Sequence, residues 1–206
     1  MIVIENFLDE DKFENFSNLL LPTMSNKRHE NEDKVFYVMA RIVDKDAFQY
    51  DPIYNMQLVH SFDNSDSYKF LEEAGFLEKL NISVMTRAKA NITFQRPEIL
   101  EHGLHCDMIR SRKDHPDPGS LTAAEDDWKH IPFKTAVFYL NDCDGYTLFE
   151  DGTKIYSKAN TLVEFDRKLM HTGTNTTNHS FRGVLNLNYL PGNWLPALGK
   201  NRDEIV

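Results

Sequence analysis

The chain has 206 residues, 41% of them hydrophobic, which suits one domain with a single sizeable core and leaves too little for a second. Its 23 Lys and Arg against 32 Asp and Glu give a net charge of −9, which disfavours nucleic acid as a partner because phosphate backbones are held by basic surfaces. No run approaches the ~18 apolar residues of a membrane span, and the N-terminus lacks a basic segment leading into an apolar one, so the expectation is an untargeted cytoplasmic protein without a membrane partner.

In chain order, Asp9 offers an N-cap, and Phe13, Phe16, Leu19 and Leu20 follow at helical spacing until Pro22, which predicts a first amphipathic helix over 9–21. The polar stretch 25–34 reads as a loop, and 35–43, rich in β-branched and aromatic residues, reads as a strand. Phe70, Leu71, Ala74, Leu77 and Leu80 recur at three- and four-residue steps and predict a second helix over 68–80 whose apolar face backs a sheet. From Ile82 onward the pattern shortens to extended runs at 82–95, 99–107, 134–141, 147–150, 153–156, 161–165 and 182–190, with tight turns at Asp144-Gly145 and Asp151-Gly152. Helices followed by closely spaced strands make an α+β arrangement within one domain, 1–206. Residues 1–81 form its helical support and 82–190 an antiparallel barrel or sandwich. The polar segment 108–133, with Pro116, Pro118 and the acidic Glu125, Asp126 and Asp127, is long enough to read as a lid or substrate loop.

Three residues carry the chemistry. His105 and Asp107 form a His-x-Asp pair that strand geometry would turn to one side, and His171 lies beyond several short strands from which it can return to meet them. Two neutral imidazoles and one carboxylate are the set that holds Fe(II) by one face of its octahedron and leaves the other open. Arg182 begins an alternating strand after His171, where a guanidinium can hold a carboxylate co-substrate through paired hydrogen bonds. His179 is the competing distal ligand, but it leaves little chain for a turn before Arg182. His102 reads as an outer or surface histidine, and His29, His60, His115 and His130 as solvated ones. No His-Glu-x-x-His helix is present, which argues against a zinc hydrolase. The two cysteines, Cys106 and Cys143, are too few for a disulfide framework and suit a reducing compartment.

Over 82–190 the chain resembles the Fe(II)/2-oxoglutarate-dependent dioxygenases, whose pattern is His-x-Asp, a distal His and a basic residue about one strand later. The resemblance is closest to the prolyl-hydroxylase-like branch: residues 135–141 are similar to its Tyr-Leu-Asn strand, and 144–149 to its Gly-Gly-x-Thr-x-Phe turn, with Tyr146 at the usual second glycine. Related small oxygenases of phages show a similar overall pattern. The resemblance implies a double-stranded β-helix, or jelly roll, with the N-terminal helices packed on one sheet. It implies Fe(II) on His105, Asp107 and His171, with 2-oxoglutarate and O2 as co-substrates and ascorbate as a candidate accessory reductant. It also implies that Tyr139 joins Arg182 on the distal carboxylate of 2-oxoglutarate.

On the same resemblance Asn91, Thr93 and Gln95, which share a strand face, contact the co-substrate or line the channel, as do Asn186 and Asn188 on the face of Arg182. The bland alternative for these five is solvent. Thr135 and Thr147 also stand within reach of such a pocket, Arg110, Arg112 and Lys113 form a basic cluster just after the metal pair, and Trp128 is a candidate lid anchor. The implied reaction is oxidative decarboxylation of 2-oxoglutarate to succinate and CO2, coupled to hydroxylation of an unactivated C–H bond. A peptidyl or protein side chain, with proline first, is the expected substrate. The alternatives are a free amino acid or other small metabolite, a nucleobase to be demethylated, which the charge disfavours, or a metal-binding barrel that only recognises a ligand.

Overall fold

The computed structural model describes residues 1–21, 35, 37–41, 56–62, 65–107 and 132–192. In chain order its elements are β1 (Ile2–Glu5), α1 (Glu10–Leu20), β2 (Val38–Arg41), β3 (Met56–Ser61), α2 (Ser65–Ala74), α3 (Phe76–Lys79), β4 (Ile82–Phe94), β5 (Lys134–Tyr139), β6 (Tyr146–Phe149), β7 (Lys154–Tyr156), β8 (Thr161–Asp166), β9 (His171–Gly173) and β10 (Phe181–Pro191). They form a seven-stranded sheet in the order β1-β8-β5-β10-β4-β3-β2 and a three-stranded sheet in the order β7-β6-β9. Among the described residues every pairing between these strands is antiparallel. This is the helix-supported jelly roll that the sequence resemblance implies.

Alternation along the central strands divides the large sheet into two faces. Ala136 and Phe138 of β5, Ala88 and Ala90 of β4, and Leu185, Leu187 and Tyr189 of β10 pack with Phe7, Phe16, Leu71 and Phe76 into one core beneath the helices. Phe138 meets Phe7, Phe13 and Phe76 edge-on, with centroids 5.1–6.0 Å apart. The opposite face carries Val137, Tyr139, Val163, Phe165 and Val184, which pack with Phe149 into a second, smaller apolar cluster between the sheets. The site lies on this second face.

The structure departs from the sequence reading in identifiable places. The single helix expected over 68–80 is broken at Gly75, which adopts φ 95°, a left-handed conformation that only glycine enters without penalty, so α2 and α3 run as separate pieces. The run 99–107 is not a continuous strand. It is held by isolated bridges, Glu101 to Thr174 and His105 to His171. Strands β1, β3 and β9 lacked a sequence signal strong enough to be predicted. His60 is buried rather than solvated, its ring 4.7 Å from that of Phe62 and 5.9 Å from that of Tyr37. The loop 25–34, most of the proposed lid with Arg110, Arg112, Lys113 and Trp128, and His29, His115 and His130 lie outside the described residues. Among the described residues no helix is long and apolar enough to cross a membrane, and both cysteines are free thiols.

Candidate metal and co-substrate site

His105 and His171 are brought together by backbone pairing. Each donates its amide N–H to the other's carbonyl, at 2.9 and 2.8 Å, so the two imidazoles start directly opposite one another and their rings lie 4.9 Å apart. The segment bearing His105 is clasped to the small sheet further back as well. The Tyr146 hydroxyl donates to Glu101 at 2.6 Å, Lys154 donates to the same carboxylate at 3.0 Å, and Leu100 N–H donates to the Asn175 side chain at 2.6 Å. Asp107 follows two residues after His105. The ligand atoms of His105, Asp107 and His171 all lie within 4.8 Å of one another, with His171 Nε2 3.9 Å from Asp107 Oδ2.

The surroundings suit these atoms to a metal. Nδ1 of His105 lies 3.0 Å from the Gly103 carbonyl and Nδ1 of His171 3.0 Å from the Leu169 carbonyl, an acceptor that places the ring proton on Nδ1 and leaves the Nε2 lone pair free. Burial holds the His171 imidazole below its ordinary range, which keeps it neutral, as a ligand must be. Burial opposes the charge of Asp107, but the Asn188 amide, His171, Arg87 and His105 outweigh it and hold its carboxyl below the usual carboxylate range. Asp107 is oriented by Asn188 Nδ2 at 2.9 Å and Thr135 Oγ1 at 3.1 Å on one oxygen and by Arg87 at 3.3 Å on the other. Two imidazole nitrogens and a carboxylate oxygen this close together are a donor set that fits Fe(II), and three protein ligands would leave coordination positions open. Asn188→Ala and Thr135→Val should each weaken metal affinity ~10–100-fold without shifting the fold, because they loosen a ligand and remove none. Competition titration with a fluorescent chelator checks this, and unchanged affinity in both would show that Asp107 needs neither partner.

Arg182 lies four residues before Asn186 on the same face of β10, beside Thr93 of β4. It is 4% exposed. Its Nε donates to Ser157 Oγ at 2.7 Å and its terminal nitrogens to Thr147 Oγ1 at 3.2 Å and the Thr174 carbonyl at 3.3 Å, while the guanidinium carbon stands 5.5 Å from the Tyr139 ring centroid. The Tyr139 hydroxyl is 2.9 Å from Thr147 Oγ1 and 3.1 Å from the Ile155 carbonyl. Gly145 and Gly173 make room for this side chain: a Cβ at Gly145 would fall 2.5 Å from Arg182 Cδ, and one at Gly173 3.2 Å from its Nη1. Burial works against the guanidinium charge, yet no carboxylate pairs with it among the described residues. An unpaired buried cation is costly, so this one calls for an anion.

No protein-family model matches the chain, and no curated protein matches it in sequence. Its structure is similar to that of a 2OG-Fe(II) oxygenase family oxidoreductase from Burkholderia pseudomallei, at TM-score 0.56 and 11% identity over 92% of this chain and 84% of that one. It is also similar to HygX from Streptomyces hygroscopicus, solved with nickel and 2-oxoglutarate bound, at TM-score 0.54 and 11% identity over 92% and 82% of the two chains. The fold is that of the 2-oxoglutarate–Fe(II) oxygenases. A third structure of this kind, the non-heme alpha ketoglutarate dependent epimerase SnoN from nogalamycin biosynthesis, matches at TM-score 0.51 and 12% identity over 92% and 76% of the chains.

Within this oxygenase fold, the remaining sequence-predicted residues separate by position. Asn91 is buried on the site face with its side-chain oxygen unpaired, and Thr93, also buried, donates to the Thr174 carbonyl at 3.4 Å. Asn186 is half-buried on the same face. Asn188 is buried on the same face, and its amide nitrogen donates to Asp107 and Thr135, both at 2.9 Å. Gln95 is exposed and donates to the Thr177 carbonyl at 2.6 Å. His179 is exposed, with its ring against Phe181, and stands apart from the cluster.

Anchored on Thr147 and Phe149, the Gly-Gly-x-Thr-x-Phe pattern puts Gly145 on its second glycine and Asp144 on its first, so the departure lies at Asp144 and not at Tyr146. Despite some desolvation, hydrogen bonds from Thr177, Thr176 and Asn178 push the Asp144 carboxyl down to about 2, and it ties down the loop after β9. Sequence reasoning missed Arg87, Lys89, Ser157 and Thr174. The alternation of Arg87, Lys89, Asn91 and Thr93 with Ala88, Ala90 and Ile92 was the available clue to the first two.

Proposed function

We propose that the protein is an Fe(II)- and 2-oxoglutarate-dependent dioxygenase that hydroxylates an unactivated C–H bond. The observation that carries this is the presence, between the two sheets, of a His-Asp-His cluster and a buried guanidinium that has no carboxylate partner among the described residues. Bound Fe(II) supplies the coupling of O2 reduction to decarboxylation, in which R–H, 2-oxoglutarate and O2 give R–OH, succinate and CO2. The protein's share is placement. Arg182 takes the distal carboxylate of 2-oxoglutarate, with the Tyr139 and Thr147 hydroxyls beside it, which fixes the length of acid that spans from there to the metal ligands. Val137, Val184 and Phe165 line the same face and keep water from the reacting end. Asn91 and Thr93 flank the co-substrate from β4.

For the primary substrate, the resemblance of residues 135–141 and 144–149 to the prolyl-hydroxylase-like branch supports a peptidyl side chain, proline first. A second reading, a small metabolite such as a free amino acid, is favoured by the uncommitted cation at Lys89. Incubating the purified protein with Fe(II), 2-oxoglutarate and O2 should release succinate above a metal-free control even without added substrate. Equal succinate in the two would reject the enzymatic reading and leave a barrel that only recognises a ligand.

A further inference from the structure

β4 presents two cations to the site face. Arg87 pairs across the sheet with Asn188, and Lys89 pairs with Asn186 on β10 and Ser61 on β3. Residues directly opposite one another in a sheet project to the same side, so Lys89 stands on the face that carries Arg87, Asn91, Asn186 and Arg182, opposite the Ala88 and Ala90 face beneath the helices. Arg87 is committed to Asp107 at 3.3 Å. The Lys89 side chain makes no hydrogen bond and no ion pair among the described residues, although it is partly buried. Burial and the neighbouring Arg87 push its ammonium down to about 8, with Asp107 pulling the other way. An anion seated beside it would relieve both effects.

We propose that Lys89 anchors a carboxylate of the primary substrate, which makes the substrate a small carboxylic acid: a free amino acid, or the C-terminal residue of a peptide. This rests on the dioxygenase reading and narrows it. The co-substrate's two carboxylates have other partners in that reading, one at Arg182 and one at the metal, and Lys89 is left for the second molecule. One uncommitted ammonium beside the neutral Asn186 balances a monoanion, so a carboxylate matches it better than a dianionic phosphate.

The test titrates the anaerobic full-length protein, loaded with Mn(II) and 2-oxoglutarate, with free L-amino acids, N-acetyl dipeptides bearing free C-termini, and the C-terminal amide of each. Calorimetry reads binding without turnover. At least one acid should bind tenfold or more tightly than its amide, and the arm in which it occurs tells a free amino acid from a chain terminus. Lys89→Met should abolish that preference by weakening the acid roughly ten- to a hundredfold, the usual size of a lost charge-assisted contact, while Lys89→Arg retains most of it. The proposal is overturned if no acid outbinds its amide in the unmodified protein, a comparison that needs no variant to fold. It is overturned equally if Lys89→Met weakens 2-oxoglutarate instead of the acid, which would assign Lys89 to the co-substrate. Succinate release by the same preparation in air judges the dioxygenase reading separately, so failure of either is distinguishable.

Discussion

Asp107→Ala should yield a folded protein that no longer releases succinate from 2-oxoglutarate. The carboxylate supplies the only negative charge in the ligand set and is itself gripped by Asn188, Thr135 and Arg87. Its removal should therefore cut metal affinity by more than the ~10–100-fold that its outer partners are worth. His105→Ala should behave alike, since it leaves His171 and Asp107 without the third point of attachment. Stability should change little. The Asp107 side chain is 8% exposed and its carboxyl is held below the usual range, so its charge adds stability above the pH at which an unfolded carboxylate ionises, and that contribution fades as pH falls through the lower folded value. Arg87, 40% exposed, turns to water when its partner is gone. The melting temperature of Asp107→Ala should thus drop by a few degrees at pH 7, ~1 kcal/mol, and by less at pH 3. Circular dichroism melts and a succinate assay check the pair of outcomes. Full turnover by either variant would remove that residue from the ligand set.

Arg182→Met should separate stability from co-substrate binding more sharply still. Methionine fills much of the arginine's length without its charge. The ligand-free fold should therefore lose no more than ~1 kcal/mol, because the cost of burying an unpaired guanidinium disappears along with its bonds to Ser157, Thr147 and Thr174. The response to 2-oxoglutarate should vanish. Bound at 100 times its dissociation constant, a ligand stabilises a protein by ~2.7 kcal/mol. The wild-type protein with Mn(II) should thus melt several degrees higher with excess 2-oxoglutarate, and Arg182→Met should not. Iron binding should be nearly untouched, since Arg182 contacts none of the ligands. If the variant keeps the 2-oxoglutarate shift, the distal carboxylate is held elsewhere, and Arg182 is a structural cation between the sheets.

Much of the site was legible in the sequence because its chemistry resides in residue types that are rare together: a His-x-Asp pair, a later His, and a cation opening an alternating strand. The convergence of His105 and His171 was not legible in the same way. The strand expected over 99–107 reduces to bridges, and what joins the two histidines is a backbone pair between segments more than sixty residues apart. Local alternation can turn His105 and Asp107 to one side but cannot say which distant carbonyl each imidazole will find. Asn188 shows the same limit. Its strand position put it on the right face, but only the packed structure gives its amide to Asp107.

By itself the sequence determined the acidic composition, the first helix, the closely spaced extended runs from β4 onward, and the kinds of ligand atom available. These follow from periodicity and side-chain chemistry, which act within a few residues. Tertiary structure alone decided that Gly75 splits a helix, that Gly145 and Gly173 make room for a buried arginine, and that Lys89 faces the site with no side-chain partner among the described residues. Each of those depends on what a remote segment does to the space and the dielectric around a residue, and no local pattern encodes that.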